Sequence, residues 1–286
     1  MLISDFYKIL KKEGLTNEVI KLFQNIIYSY YKNFKREFPF RSNINPYNVL
    51  VSEIMLQQTQ TTRVSEKFLE FVDKFPDYLT LSKAPLEEVL KVWKGLGYNR
   101  RAIALKKIAE IIIEEYNGIL PDSVEILKSF PQIGVNTASS ILAFAFNKPT
   151  VFIETNVRTV YIYFFFRDKI DVTDKEILDI LEKTIDRGNS RNWYYAIMDY
   201  GVMLKKKYPN LTKKSHHYRK QKQFKGSNRQ IRGEILEILL KKKILKELEI
   251  KQKFKDINIQ RIDKILQQLE DEGFIIKKGN LIEFAN

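Results

Sequence analysis

Three short stretches carry side chains whose types and spacing could do chemistry. The first is residues 49–60, Val-Leu-Val-Ser-Glu-Ile-Met-Leu-Gln-Gln-Thr-Gln, with Glu53 inside an apolar helical run. An acid among Val, Ile, Met and Leu resists ionisation, which would hold Glu53 protonated near neutral pH as a proton donor. The window fits equally a glutamate on the polar face of an amphipathic helix. The second is residues 151–158, Val-Phe-Ile-Glu-Thr-Asn-Val-Arg, where Glu154 follows an apolar run and opens a helix. A helix N-terminus favours negative charge, so Glu154 could be a fixed anion facing a cationic sugar. Its plainer role is a helix cap beside Thr155 and Asn156. The third is residues 130–138, Phe-Pro-Gln-Ile-Gly-Val-Asn-Thr-Ala, between two helical patterns. A tight glycine turn that opens a helix presents backbone N–H groups suited to a phosphate oxygen. Many helical hairpins carry Pro and Gly, so this turn alone does not single out a function.

Helices must position these groups. Apolar residues recur at helical spacing over 17–34, 47–71, 85–94, 101–116, 123–130, 135–146, 156–165 and 174–187. Pro39, Pro46, Gly95, Gly97, Gly118, Pro121 and Gly134 punctuate them, and Asp122 or Ser123 and Thr173 or Asp174 are of capping type. There is no regular strand–helix alternation, so a mostly α chain is expected. After Arg229 the pattern becomes helices at 231–243, 245–254 and 259–272, then strands at 274–278 and 281–284 around Gly279-Asn280. Three helices followed by a hairpin is a winged-helix order. Gln260, Arg261, Lys264, Gln267 and Gln268 precede the hairpin and are types that reach phosphates and base edges. A small docking or dimerisation domain fits the same order.

The 286-residue chain has a formal net charge of +14, which points to a polyanionic partner. Eleven basic and no acidic residues lie between Lys205 and Arg232, among them Lys213, Lys214, Arg219 and Lys220. A solvated linker is one reading. Interleaved Tyr208, Tyr218 and Phe224 suit instead a strap packed on a scaffold, with its lysines on phosphates. No apolar run reaches the length of a membrane span, and residues 1–11 lack the features of a signal peptide. A cytoplasmic protein, nucleoid-associated in a prokaryote, is expected. With no cysteine, disulfides, zinc–thiolate sites and iron–sulfur clusters are excluded, and no cofactor is expected.

Taken in order, Arg41, the Glu53 helix with Gln57-Gln58-Thr59, residues 93–98 (Trp-Lys-Gly-Leu-Gly-Tyr), the 130–138 hairpin and Glu154-Thr155-Asn156-Val157 resemble the MutY-type adenine DNA glycosylases of the helix-hairpin-helix, endonuclease III-like superfamily. The resemblance runs through roughly residues 38–167 and weakens through the next helices, although residues 193–201 (Trp-Tyr-Tyr-Ala-Ile-Met-Asp-Tyr-Gly) still look familiar. It implies a two-domain helix-hairpin-helix glycosylase fold, here with a C-terminal winged-helix-like α+β domain. The domains would be 1–45 with 166–204, 46–165 carrying the hairpin, a basic strap at 205–229, and 230–286. Glu53 would protonate the leaving purine, and Glu154 would stabilise the oxocarbenium-like sugar with support from Asn156, as paired carboxyls do in glycoside hydrolysis. Gln58 and Tyr98 would wedge into the base stack, Gln57 and Thr59 would flank that wedge, and Arg41 would lie near the base pocket. Backbone around Gln132, Ile133, Gly134, Val135, Asn136 and Thr137 would hold a phosphate, with a monovalent cation there as a further implication. The partner would be double-stranded DNA with a mismatched or damaged base, met by a monomer.

The chain departs from that family in ways that matter. Glu154 replaces an aspartate, lengthening the side chain by roughly 1.3 Å, and a misplacement of about 1 Å can cost on the order of 10²-fold in rate. Asn136 stands where bifunctional relatives carry a lysine. Without that amine no Schiff base forms, so monofunctional excision is expected. Gln132 replaces a hairpin glycine, which costs about a kcal/mol if the position needs a positive φ. The basic strap takes the place of the iron–sulfur cluster, and the tail is too short for an 8-oxoguanine-reading domain. Excision of adenine opposite guanine or 8-oxoguanine is the leading expectation. Release of thymine or uracil opposite guanine, and a catalytically weak protein that binds distorted DNA, are the alternatives.

Overall fold

The computed structural model describes residues 3–209, 211–218 and 223–285. The first half runs α1 (Ile3–Glu13), α2 (Asn17–Phe34), α3 (Pro39–Ser42), α4 (Pro46–Leu56), α5 (Thr61–Lys74), α6 (Tyr78–Lys83), α7 (Leu86–Trp93), α8 (Arg100–Glu115), α9 (Val124–Ser129) and α10 (Val135–Phe146). The second half continues α11 (Thr155–Phe165), α12 (Asp174–Thr184), α13 (Ser190–Lys207), a 3₁₀ turn (Leu211–Lys214), α14 (Asn228–Lys242), β1 (Ile244–Lys246), α15 (Glu247–Lys253), α16 (Ile259–Asp271), β2 (Ile275–Lys278) and β3 (Leu281–Phe284). The chain is mostly α, as its periodicity implies. No helix of the described residues is long and apolar enough to cross a membrane.

Two compact units emerge. The first comprises Met1–Leu50, Asp122–Ser129 and Ile133–Lys220. Its core is aromatic: Phe23 meets Phe164 at 5.1 Å and Trp193 at 5.6 Å in edge-on geometry, and Phe6 meets Phe164 at 5.3 Å. Such pairs add about 0.5–1.5 kcal/mol each beyond area burial. Thr16 caps α2, and Thr173 with Glu176 forms a reciprocal capping box on α12.

The second unit comprises Val51–Pro121, Phe130–Gln132 and Gln221–Asn286. Val64, Phe68, Phe71, Trp93, Leu105 and Ile108 are buried in α5, α7 and α8. In the C-terminal module, Ile235, Leu239, Leu245, Ile265, Leu266, Phe274 and Ile282 form the apolar interior. Its antiparallel sheet has the order β1-β3-β2, with Leu245 opposite Ile282 and Lys277 opposite Ile282 on the other side. Helix, strand, helix, helix, hairpin is the winged-helix arrangement, so this part is winged-helix-like.

Local structure differs from expectation in three places. The 47–71 helix is two helices, α4 and α5, because Gln58 takes a left-handed φ of 54°. The expected helix at 245–254 begins with strand β1, since its backbone pairs with β3. The 174–187 helix stops at Thr184, where Ile185 turns extended. The units also group the chain differently from the 46–165 boundary. Residues 133–165 join the chain's first 50 residues because Phe144, Phe152, Tyr161 and Phe164 belong to the core of Phe6, Phe23 and Trp193. Residues 230–286 do not stand apart but share a unit with α5–α8.

Candidate active site and DNA-binding elements

Glu53 lies half-buried on α4, between Ser52 and Ile54, which are 3% and 0% exposed. One turn later the helix ends in the Gln57-Gln58-Thr59 turn. What fixes this turn is Arg101, 3% exposed at the start of α8. Its Nη1 donates to the carbonyls of Ile54 (3.0 Å), Met55 (2.7 Å) and Gln57 (2.6 Å). Its Nη2 donates to Thr59 Oγ1 (3.0 Å) and to the carbonyls of Leu96 (3.2 Å) and Gly97 (2.9 Å). The guanidinium also lies 5.4 Å from the Trp93 ring and 5.5 Å from the Tyr98 ring. One planar fork thus ties the end of the Glu53 helix to the glycine loop that bears Tyr98. Gln58 is exposed, and it and Tyr98 both hold positive φ, 54° and 48°. Non-glycine residues in that region store about 1–3 kcal/mol of strain and cluster at functional sites.

The hairpin connects α9 and α10. Gln132 adopts φ 62°, the left-handed geometry that its glycine-like position demands, and its carbonyl accepts from Gln57 Nε2 at 3.1 Å. Ile133 is buried, anchoring the turn. Gly134 is the N-cap of α10 and has no side-chain cap. It is followed by exposed Val135 and Asn136 and half-buried Thr137. The first N–H groups of a helix lack intrahelical acceptors, so this uncapped, exposed end suits an anion. Asn136 Oδ1 accepts from the Ile153 N–H at 3.5 Å, which brings the hairpin helix to the residue before Glu154.

Glu154 is the N-cap of α11. Its Oε1 accepts from the N–H groups of Asn156 (2.8 Å) and Val157 (3.1 Å), and its Oε2 accepts from Asn156 Nδ2 (3.2 Å). The carboxyl group folds back over its own helix terminus, so the cap fixes where it stands. Asn156 Oδ1 is buried without a hydrogen-bond partner among the described residues, an arrangement that costs about 1–3 kcal/mol. Two residues on α13 complete the surroundings: Gly201, at the end of the familiar 193–201 stretch, and Lys205, which no motif announces. A Cβ on Gly201 would fall 2.5 Å from the Asn156 carbonyl oxygen, so only glycine lets α13 pass. Half-buried Lys205 feels Glu154; burial lowers its pKa, while the Glu154 charge pulls it back up. Gly201→Ala should lower stability by about 1–3 kcal/mol, the usual cost of overpacking. An unchanged midpoint in urea would show that α11 and α13 separate without cost.

Comparison with known proteins fits this arrangement. Residues 51–187 match the HhH-GPD superfamily base excision DNA repair protein model. This stretch, a little under half of the chain, is similar to the proteins of that superfamily. The chain is 35% identical to the adenine DNA glycosylase of Buchnera aphidicola subsp. Baizongia pistaciae, over 64% of this chain and 53% of that protein. It therefore spans about half the length of that relative. It is 27% identical to a thymine/uracil-DNA glycosylase of Methanothermobacter thermautotrophicus, over 67% of this chain and 88% of that protein. A solved thermostable thymine-DNA glycosylase superposes with a TM-score of 0.60 at 25% identity, over 65% of this chain and 88% of that one.

Other expected contact residues lie outside the HhH-GPD segment. Arg41 is 9% exposed and engaged. Its Nη1 donates to both oxygens of Asp199 at 3.1 Å and to the Arg36 carbonyl at 3.1 Å, and its guanidinium stacks 4.4 Å from the Tyr195 ring. It organises the buried carboxylate Asp199, which also accepts from Arg36 Nε. The basic segment is anchored otherwise than by Tyr208, Tyr218 and Phe224 together. Tyr208 stacks on Tyr163 at 5.3 Å, but Tyr218 and Phe224 are 43% and 60% exposed. Leu211 packs on the aromatic core, and the Lys214 carbonyl accepts from the Val172 N–H at 2.8 Å. Exposed Lys213 lies beside Lys214, whose Nζ donates to the Arg167 carbonyl at 2.5 Å. Arg219 and Lys220 lie outside the described residues.

Proposed function

We propose that this protein is a monofunctional DNA glycosylase of base excision repair that hydrolyses the N-glycosidic bond of an extruded, mispaired adenine. The observation that carries the reading is Glu154, a carboxylate fixed by three N–H donors in a chain whose residues 51–187 match the HhH-GPD superfamily model. In this mechanism Glu53 gives its proton to a ring nitrogen of adenine as the bond to the sugar C1′ breaks and its electron pair leaves with the base. The sugar becomes cationic, and Glu154 stabilises that charge. Water then adds its hydroxyl to C1′, and the remaining proton restores Glu53. The products are free adenine and an abasic site. Asn136 offers no amine, so no Schiff base forms and the strand stays intact. Gln58 and Tyr98, set in left-handed turns, act as the wedge that extrudes the base. The uncapped start of α10 at Gly134–Asn136 holds a phosphate, and Lys213, Lys214, Arg219 and Lys220 add electrostatic hold.

A second reading, release of thymine or uracil opposite guanine, is favoured by the 88% coverage of the thymine/uracil-DNA glycosylase relative. A panel of duplexes carrying A·8-oxoG, A·G, T·G, U·G or hypoxanthine decides between them. Strand breakage at adenine only after alkali is the expected result. Release of thymine or uracil without adenine would establish the second reading. Breakage without alkali would overturn the Asn136 argument, and binding with no release from any duplex would mark a binding protein.

A further inference from the structure

We infer that the C-terminal winged-helix-like module is a working part of the base-extruding apparatus, with Arg229 as the positioning residue for Tyr98. Arg229 Nη1 donates to the Tyr98 hydroxyl. Its guanidinium lies 5.4 Å from the Tyr98 ring and 5.8 Å from that of Phe224. Tyr98 therefore has two guanidiniums against its ring: Arg101 from its own helical framework and Arg229 from the start of α14.

The surrounding contacts make that second guanidinium a fixed one. Ser227 caps α14 by accepting from the Gln230 N–H. Arg261 of α16 then grips the chain just before Arg229, donating to Asn228 Oδ1 and to the Gly226 carbonyl, both at 2.7 Å. Glu272 bridges Arg100, two residues beyond Tyr98, and Arg232, one turn beyond Arg229. The Arg232 and Glu272 side chains are only 14% and 19% exposed, so this bridge is shielded from solvent screening. Lys94 with Glu237 and Lys243 with Glu87 add exposed pairs of small individual value. Both ends of the 94–100 loop are thus tied to the module, and the residue between them, at φ 48°, is held by its hydroxyl. A side chain that must push into stacked bases works only if it does not itself yield. An arginine hydrogen bond to its tip supplies that stiffness, and it comes from outside the HhH-GPD segment.

The inference rests on the reading of Tyr98 as a wedge, and the test separates the two. 2-Aminopurine placed beside the target base reports unstacking during rapid mixing with full-length protein. Arg229→Ala and Tyr98→Phe should each slow the fluorescence rise by roughly ten- to a hundredfold, the factor a hydrogen bond to a charged group is worth. The double variant should be no slower than either single one, because both remove the same contact. Arg229→Lys, which keeps a donor, should recover part of the rate. Tyr98→Phe removes only the hydroxyl, so the test stands even if Arg229→Ala proves unstable. If Tyr98→Ala slows extrusion while Arg229→Ala and Tyr98→Phe do not, the wedge stands and the role of Arg229 is overturned. Additive losses in the double variant would overturn it too. If Tyr98→Ala leaves extrusion unchanged, the wedge reading fails and the inference with it.

Discussion

Glu53→Gln should abolish adenine release while leaving duplex binding intact. Glutamine keeps the size and the hydrogen-bonding reach of the side chain but carries no transferable proton. General acid catalysis contributes about 10²–10⁴-fold to a rate, and single-turnover release of adenine should fall by that factor or more. Binding measured by anisotropy should change less than about threefold, since the proposed function gives the phosphate contacts to the hairpin and the basic segment. The position supports the assignment: Glu53 is half-buried, with Ser52 and Ile54 buried on either side, on a helix whose end is pinned by Arg101. The same variant tests the substrate. A purine must be protonated to leave, whereas a pyrimidine can depart as an anion. Glu53→Gln protein that still releases thymine or uracil would move the assignment to the second reading. Adenine release at the parent rate would remove Glu53 from the acid role altogether.

The hairpin was legible in the sequence because its chemistry is local. Pro131, Gly134 and the helix that follows are neighbours in the chain, and the conditional strain at Gln132 followed from the glycine that the resembling family carries there; it takes φ 62°. The capping role of Glu154 was legible for the same reason. The resemblance to adenine glycosylases likewise rested on short motifs in order, and relatives of that name match along this chain. What stayed hidden depends on partners far apart in sequence. Gly201 ends the familiar 193–201 stretch, but the reason for a glycine there appears only when the Asn156 carbonyl oxygen is found 2.5 Å from where a Cβ would be. Lys205 looked like one more phosphate-binding lysine until burial beside Glu154 set it apart. The partner of Arg41 was hidden in the same way: a buried Asp199, 158 residues away, engages its guanidinium. The short strand β1 was missed because its pairing partner β3 lies 35 or more residues downstream.

Arg101 is the residue whose loss should cost the fold and the site together. Nothing in its type or spacing marked it, because its acceptors are mostly backbone carbonyls, which every residue carries. Burial brings its guanidinium down to about 10, so it is still charged at neutral pH. Arg101→Met would fill much of the same volume and leave the buried carbonyls of Ile54, Met55 and Leu96 without this donor. Each orphaned buried acceptor costs about 1–3 kcal/mol, with relaxation recovering part. A total loss of about 3–5 kcal/mol in urea denaturation is expected, in the range for breaking a buried charged network. Arg101→Lys discriminates between charge and geometry. An ammonium can satisfy one of the two turns but lacks the planar fork that reaches both. It should recover part of the stability and little of the extrusion rate, because Gln58 and Tyr98 would no longer be fixed relative to each other. If Arg101→Met unfolds at the same urea concentration as the parent, the carbonyls find other donors and the fork is dispensable to the fold. If Arg101→Lys extrudes the base at the parent rate, the link between the two turns is not what sets the wedge, and Gln58 and Tyr98 act independently.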